Sequence, residues 1–310
     1  MLRTHPAIRG AVRRAIHISR DVMGETRFGY RQLLRNLPAR LRFTATRPAL
    51  SAVEAQVASD LALRGISIVP ASELLGDATL LKEASDLVHT LTPTGDTREL
   101  TRAQTADDQS WDKDFLIRLN RDGATLNLDH ILLRLGLHER ILNPINAYLG
   151  LHARLYYVDA WYTAPAGQQV SAKYSQVWHR DPEDKKLVKV FLYTSDVDET
   201  AGPLQYVPGS KLSGGPYSRF SHRRTQLYPD LTTFHDHVPA SEVITCTVPA
   251  GTFVFCDTSG FHRGGLATAT PRSLATWMYV THAALAKRRF RLDPRSRTTS
   301  LPPTARAALA

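Results

Sequence analysis

The sequence has few of the residues and patterns that mark several large classes of protein. Its 310 residues include two cysteines, Cys246 and Cys256, too few for a disulfide scaffold or a cysteine-rich zinc site. Eighteen glycines and eighteen prolines are ordinary for a folded chain and exclude a collagen-like or low-complexity protein. No apolar run approaches the roughly 20 residues that a membrane-spanning helix needs. The sequence therefore predicts a globular chain without a transmembrane segment, and we expect it to be cytoplasmic.

The positive charge of the chain, +10 in total, is confined to its two ends. Residues 1–48 contain 11 arginines and two acids, and residues 287–310 contain seven basic residues and one acid. The middle holds the remaining 21 of the 39 basic residues and 26 of the 29 acidic ones. The body therefore lacks the basic surface of a nucleic-acid-binding protein, and we expect no nucleic-acid partner. We interpret 1–48 as a basic N-terminal segment and 287–310 as a basic tail, poorly ordered after Pro294.

Residues 6–20, PAIRGAVRRAIHISR, place apolar residues at near-helical spacing with arginines between them. This pattern fits a membrane-surface helix, an organellar transit peptide or an ordinary solvated helix. The sequence leaves all three open. It does not resemble a secretory signal, because Arg13 and Arg14 interrupt the apolar stretch.

The first part of the body, residues 49–150, has the pattern of helices. Ser51 and Glu54 have the spacing of a capping box, which starts a helix. A later apolar pattern continues past Pro144, where a kink or a break is expected. The elements predicted in this part are helices over 51–63, 78–91 and 128–148 and a strand over 66–70.

Residues 151–286 indicate many short strands, because β-branched and aromatic runs alternate there with Gly, Pro, Asp and Ser. The predicted strand segments are 151–163, 175–181, 187–197, 203–210, 242–257 and 273–283. Such a series is typical of a sandwich or barrel. We therefore predict an α+β fold in one domain, 49–286, with helical support over 49–150 and an all-β core over 151–286.

The residues that point to chemistry are His179, Asp181, His262 and Arg272. On a strand, residues i and i+2 share a face, so His179 and Asp181 would converge there. His262 comes 81 residues after Asp181 and follows another strand-rich segment. Two histidines and one carboxylate form the facial triad of non-haem Fe(II) oxygenases, which leaves positions open for a co-substrate and dioxygen. Arg272 begins the next strand, where it could pair with the distal carboxylate of an oxo-acid.

Three segments carry a resemblance to a known family. They are WHRDPEDKKLVKVFLYTSDVDETAGPLQYVPGSK (178–211), GTFVFCDTSGFHRGG (251–265) and PRSLATWMYV (271–280). Together they resemble the phytanoyl-CoA dioxygenase family, whose members are iron- and 2-oxoglutarate-dependent oxygenases on a double-stranded β-helix, or jelly roll. The resemblance covers roughly residues 150–285. It implies a jelly-roll core over that range; the helical segment from about 50 to 150, which fits the family's layout only loosely, is expected from its own pattern to pack on this core.

The resemblance also implies a site and a reaction. His179, Asp181 and His262 would be the iron ligands and the catalytic centre, and Arg272 would bind 2-oxoglutarate. With Fe(II) and dioxygen, the protein would convert 2-oxoglutarate to succinate and CO2 while oxidising a small molecule, such as a secondary metabolite or an anionic or acyl compound. Related halogenases have a small residue in place of the carboxylate. Asp181 therefore favours hydroxylation, with desaturation or ring rearrangement left open.

Several further side chains are candidates for the site. Several such families have Arg-x-Ser where this chain has Leu274 after Arg272, so a supporting hydroxyl is expected from Thr194 or Thr276. The candidate substrate contacts are Trp161, Tyr174, Arg180, Arg219 and Trp277. Arg180 is expected on the face opposite the ligands, where it would either meet an acidic group of the substrate near the rim or form a salt bridge with Glu183 or Asp184. Lys211 is expected to face solvent.

Two other functions stay open at this point. One is a cupin-type metalloenzyme that does not use 2-oxoglutarate. The other is a non-enzymatic protein whose basic ends bind a membrane or nucleic acid. The sequence does not indicate an oligomeric state.

Overall fold

The structure, a computed structural model, describes residues 29–30, 32–93, 116–118, 124–165, 172, 174–218, 220, 228–285 and 287–310. Its helices are α1 (32–46), α2 (Ala52–Leu63), α3 (Ala71–Leu75), α4 (Ala78–Leu91), α5 (Ile131–Gly136), α6 (Glu139–Leu149), α7 (Leu231–His237) and α8 (Pro303–Ala308). Its strands are β1 (Ile66–Pro70), β2 (Leu116–Arg118), β3 (Thr125–Leu126), β4 (Arg154–Thr163), β5 (Leu187–Tyr193), β6 (Leu204–Tyr206), β7 (Ile244–Thr245), β8 (Thr252–Cys256), β9 (His262–Gly264), β10 (Arg272–Val280) and β11 (Arg291–Leu292). The α+β class expected from the sequence is confirmed.

The strands form two antiparallel sheets and one small parallel pair. The larger sheet has six strands in the order β1-β8-β5-β10-β4-β2, and the smaller has the order β7-β6-β9. Strands β3 and β11 make the parallel pair. Strand β10 lies between β4 and β5, with Leu274 opposite Trp161 on one side and Tyr193 on the other. Residues distant in sequence therefore meet across the middle of the larger sheet.

The two faces of the larger sheet have different partners because side chains alternate along each strand. On β10, Ala275 and Trp277 belong to the main core with buried residues of the helices. Leu274 and the β5 residues Phe191 and Tyr193 face the other way and pack with Leu204 of the smaller sheet. The helices thus cover one face of the larger sheet, and the smaller sheet lies over the other.

The expected start of α2 is confirmed, but the third predicted helix is two helices. Ser51 and Glu54 make both hydrogen bonds of the capping box. Residues 128–148 form α5 and α6, and the break falls at His138, whose Nδ1 accepts from the Arg140 N–H at 3.2 Å. Pro144, where the break was expected, lies inside α6. A side chain that caps the new helix sets the boundary, and α6 accommodates the proline by forgoing one backbone hydrogen bond.

Residues 175–181 do not form the expected strand. Tyr174–Gln176 is one turn of 3-10 helix, and His179 makes only an isolated bridge to His262. Pairing is limited to this bridge, so His179 and Asp181 converge through a loop and not along a strand.

The end of the chain is more ordered than the sequence indicates. Ala305 and Ala308 of α8, and Leu309 after it, are buried in the main core. Arg288 donates from Nη1 to the carbonyl oxygen of Leu309 at 2.8 Å. The expectation of a poorly ordered tail is therefore wrong, because small apolar residues of the last turn find space against the helical layer. Among the described residues, no helix is both long and apolar enough to cross a bilayer.

Candidate active site

The backbones of His179 and His262 bring their imidazoles together. Each N–H donates to the carbonyl oxygen of the other residue at 3.0 Å. Bridge partners project their side chains to the same side, and the two ring centroids are 4.2 Å apart. Asp181 is fixed beside them because its N–H donates to the Thr258 carbonyl at 2.8 Å. The potential ligand atoms of the three side chains all lie within 4.8 Å of one another.

Backbone carbonyls orient both imidazoles. Nδ1 of His179 lies 2.9 Å from the Val177 carbonyl oxygen, and Nδ1 of His262 lies 3.0 Å from that of Gly260. A carbonyl oxygen only accepts, so each Nδ1 carries a proton, and in the neutral ring each Nε2 keeps its lone pair. Burial, followed by the proximity of His179, lowers the pKa of His262. Both rings therefore present the nitrogen that binds a metal.

Asp181 completes the set and forms an ion pair with a lysine. Its Oδ1 lies 3.8 Å from Nε2 of His179, and its Oδ2 lies 3.8 Å from Nε2 of His262. Nζ of Lys189, from β5, is 2.6 Å from Oδ2. Burial would raise the pKa of Asp181, but the Lys189 ammonium and then the imidazoles bring it well below its usual range. The carboxylate is therefore ionised, as a metal ligand must be.

The triad opens into a cleft between the two sheets. The cleft has a volume of about 670 Å³, counted out to open solvent. Its apolar wall includes Trp161, Phe191, Leu204 and Leu274, and Gln176 adds a polar side chain. Apolar walls with a few polar groups are the usual lining of a site for a small organic molecule.

Arg272 lines the same cleft. It is the first residue of β10 and faces Thr163 across the β4–β10 pair. Its Nη2 donates to the Thr163 hydroxyl at 3.4 Å, and its Nη1 donates to the Gly202 carbonyl oxygen. Its Nε is buried and makes no hydrogen bond. The cleft therefore contains a buried guanidinium whose Nε–H donor is unused, in addition to the three potential metal ligands.

A comparison with family models supports what this geometry indicates. The model described as phytanoyl-CoA dioxygenase (PhyH) matches residues 83–273, more than half of the chain. The chain belongs to the phytanoyl-CoA dioxygenase family. Members of this family are iron- and 2-oxoglutarate-dependent oxygenases, and this chain is one of them. Comparison with curated protein sequences gives no match.

Solved structures with a similar chain course include SnoN, HygX and EctD. SnoN from nogalamycin biosynthesis, a non-heme alpha-ketoglutarate-dependent epimerase, is 18% identical, with 74% of this chain and 84% of that chain covered and a TM-score of 0.48. HygX from Streptomyces hygroscopicus, with nickel and 2-oxoglutarate bound, is 14% identical, with 75% and 88% covered and a TM-score of 0.44. EctD from S. alaskensis, in its apo form, is 18% identical, with 82% and 84% covered and a TM-score of 0.47. The family assignment does not depend on these likenesses.

Neither threonine expected beside Arg272 lines the cleft of this phytanoyl-CoA dioxygenase family member. The Thr194 hydroxyl lies 3.0 Å from that of Ser273, at the end of the β5–β10 pair. Thr276 is buried farther along β10, opposite Asp159 of β4. The hydroxyl near Arg272 belongs instead to Thr163, which the sequence analysis missed. Strand pairing alone places it there, and no local motif marks it.

Two of the aromatic candidates occupy different surroundings. Trp161 lines the cleft and lies between two other rings, with centroid distances of 6.4 Å to Tyr157 and 6.4 Å to Phe191. Tyr174 begins the 3-10 turn with a positive φ of 51° and is exposed. Its neighbours Ser175 and Gln176 line the cleft, and Tyr174 does not.

Arg180 does point away from the ligands, as expected, but its guanidinium meets the protein's own backbone. It is buried and donates to the carbonyl oxygens of Ser210, Ser259, Tyr217 and Phe220. Its Cζ also lies 3.7 Å above the centre of the Phe261 ring. The prediction that Arg180 contacts substrate at the rim is therefore wrong. The side chain joins three loops in the interior.

Trp277 is also a core residue and not a substrate contact. It is fully buried, and its Nε1 donates to the carbonyl oxygen of Leu132 in α5 at 2.6 Å. Alternation along β10 turns it toward the helices, away from the cleft side where Leu274 lies. Lys211, expected in solvent, is buried and donates to the Leu61 carbonyl oxygen at 2.9 Å. Arg219 lies outside the described residues.

Proposed function

We propose that this chain hydroxylates a small molecule, using Fe(II), 2-oxoglutarate and dioxygen, and that His179, Asp181 and His262 are its iron ligands. The observation that carries the proposal is the convergence of these side chains in one cleft with Arg272. Retention of Asp181 favours hydroxylation over halogen transfer. The two facing antiparallel sheets support a double-stranded β-helix as the finer description of the core.

The donor set fits iron. Two neutral imidazole nitrogens and one carboxylate oxygen on one side of a metal are the ligands of non-haem Fe(II) oxygenases. Bound there, iron would activate dioxygen for attack on the substrate. The protein orients the donors through the carbonyls of Val177 and Gly260 and keeps the carboxylate ionised through Lys189.

The surroundings of Arg272 fit the distal carboxylate of 2-oxoglutarate. Its buried Nε has no hydrogen-bond partner, and the Thr163 hydroxyl beside it can donate to a carboxylate oxygen. The Tyr193 ring, which lines the same cleft, is buried, and its pKa is raised by that burial. A neutral phenol beside Arg272 leaves the guanidinium charge for the co-substrate.

Trp161, Phe191 and Leu274 would form the apolar part of the substrate site and keep water from the metal face. A secondary metabolite or an anionic or acyl compound stays the predicted substrate, and so does the predicted contact with Arg219. The cytoplasmic location, the absence of a nucleic-acid partner and the domain boundaries at 49 and 286 also stay predictions.

Titration of 2-oxoglutarate into the Fe(II)-loaded protein without oxygen tests the assignment. An oxo-acid that chelates iron gives a weak visible charge-transfer band. We expect this band in the natural protein. His179→Ala should lose both the band and the stoichiometric binding of iron. In Arg272→Ala, iron should stay bound, and the concentration of 2-oxoglutarate that gives half of the maximal band intensity should rise at least tenfold.

Two surface variants serve as matched controls. His237→Ala and Arg291→Ala remove the same side-chain types at exposed positions outside the cleft and should leave the titration unchanged. Stoichiometric iron without any band would favour the cupin-type alternative that does not use 2-oxoglutarate. A protein that binds no iron would contradict the proposed ligand set.

A further inference from the structure

Helix α1, with the helical Tyr30 just before it, carries a row of large apolar side chains in solvent. Tyr30, Leu33, Leu34, Leu37 and Leu41 are 65, 56, 49, 43 and 61% exposed. They recur at steps of three and four residues, so they share one side of the helix, which we call the leucine stripe. These five are among twelve large apolar residues exposed in the described part of the chain. Such a concentration marks an interaction surface.

The other side of α1 is firmly attached to the body. Gln32 donates from Nε2 to Oδ1 of Asp184 at 2.6 Å, three residues beyond the triad carboxylate. The carboxamide oxygen of Asn36 accepts from the Ala283 N–H at 3.0 Å, and Ala39 is buried in the main core. These contacts fix the rotation of the helix about its axis. The leucine stripe is therefore held outward, in one rigid unit with the loop that follows Asp181.

Three exposed arginines of α1 flank the leucine stripe. At 100° per residue, Arg40 lies directly beside Leu33, whereas Arg35 and Arg42 lie on the opposite flank of the helix, about 80–100° beyond Leu34. The surrounding sequence has the same sign, since residues 1–48 contain 11 arginines and only two acids. An apolar row with arginines on the flanks of the same helix is the pattern of a helix that lies in a membrane interface, where long arginine side chains reach up to anionic headgroups.

Charge separates the possible occupants of this surface. A second copy of α1 would bring the arginines of both helices together. Residues 1–28 carry six arginines against two acids, so they would meet the same repulsion. An anionic lipid surface satisfies the leucines and the arginines at once. We propose that the leucine stripe docks this enzyme onto the surface of a membrane that contains anionic lipids.

Vesicle binding by the full-length protein tests this proposal. We expect cosedimentation with vesicles of phosphatidylcholine and phosphatidylglycerol and little with phosphatidylcholine alone. Binding should weaken as sodium chloride is raised, because salt screens the arginines. Leu33→Ser, Leu37→Ser and Leu41→Ser together should lower the partition constant at least tenfold. Arg35→Gln, Arg40→Gln and Arg42→Gln together should lower it by a similar factor at low salt.

Matched controls use the same substitutions elsewhere on the surface. Leu63→Ser, Leu91→Ser and Leu285→Ser remove three exposed leucines, and Arg291→Gln, Arg295→Gln and Arg297→Gln remove three exposed arginines.

Both control proteins should bind like the natural one. The absence of binding to anionic vesicles would overturn the proposal. Unchanged binding by the triple Leu→Ser variant of the leucine stripe would also overturn it, because residues 1–28 would then be the segment that binds the membrane. A dimer in solution that the stripe variant dissociates, without vesicle binding, would assign the surface to a second copy instead.

Discussion

At the scale of single residues, the ammonium group of Lys189 sets the charge balance of the cleft. It is buried beside Asp181, with 10% of its side chain exposed. Burial opposes the charge, but the carboxylate outweighs burial and raises the pKa of the lysine. Each charge thus compensates the other as long as both are present. A metal ion on Asp181 would take over part of this compensation.

We predict that Lys189→Met destabilises the metal-free protein strongly and the metal-loaded protein less. Breaking a buried ion pair leaves an uncompensated carboxylate and costs roughly 3–5 kcal/mol. A divalent cation bound to that carboxylate supplies a new counter-charge. Thermal unfolding with EDTA and with Mn(II) measures both states, and the rise in Tm on metal binding should be larger in the variant than in the natural protein.

The control for this prediction is a substitution at the exposed Lys185, where Lys185→Met should leave both unfolding curves unchanged. Asp181→Asn with Lys189→Met removes both charges and should restore part of the lost stability without metal. Equal rises in Tm for the natural protein and Lys189→Met would show that the pair and the metal do not share the carboxylate.

Residues of the site differ in how far the sequence reveals them. The triad and Arg272 are recognisable because each stands in a short motif with characteristic neighbours. Thr163 and Lys189 have no such motif. Thr163 reaches Arg272 through the register of β4 on β10, and Lys189 occupies one position of an otherwise apolar strand. Register depends on the packing of the whole sheet, and spacing along the chain does not encode it.

At the scale of elements, β10 divides its residues between two tasks. Arg272 and Leu274 line the cleft, whereas Trp277 and Tyr279 turn to the helices. The Tyr279 hydroxyl donates to the Gly136 carbonyl oxygen at the end of α5, at 2.7 Å. The sequence predicts this strand well from its β-branched and aromatic residues. It does not predict which face receives the helices, so the sequence does not distinguish a core position of Trp277 from a substrate contact.

Helix α8 is one of the elements that the sequence analysis missed, and its removal is a direct test of its role. We predict that a chain ending at Pro302 loses about 3 kcal/mol of unfolding free energy, because Leu309 and two alanines leave the core. Arg288 also loses its partner at the Leu309 carbonyl. Urea unfolding measures the change. Deletion of Ala310 alone is the control, and equal midpoints for both chains would contradict the packing.

At the scale of the whole molecule, the sequence predicts the fold class and the types of elements better than it predicts how those elements pack together. The α+β class and the order of helical and strand regions follow from hydrophobic periodicity, which local residues determine. The confinement of positive charge to the ends can also be read from the sequence. The packing of 32–46 and 303–308 against the same main core cannot be read from the sequence, because it depends on contacts between distant segments. A basic segment with apolar residues at helical spacing is equally compatible with a free end and with a packed helix.

The cleft joins both sheets, so its ligands should stabilise the entire fold. His262 belongs to the smaller sheet, and Arg272 belongs to the larger one. A metal with chelated 2-oxoglutarate would connect them, and ligand at 100 times its Kd adds about 2.7 kcal/mol. We predict that Mn(II) raises Tm, that 2-oxoglutarate raises it further only with Mn(II), and that Arg272→Ala keeps the first rise but loses most of the second. An equal effect of 2-oxoglutarate without metal would place its binding outside the triad.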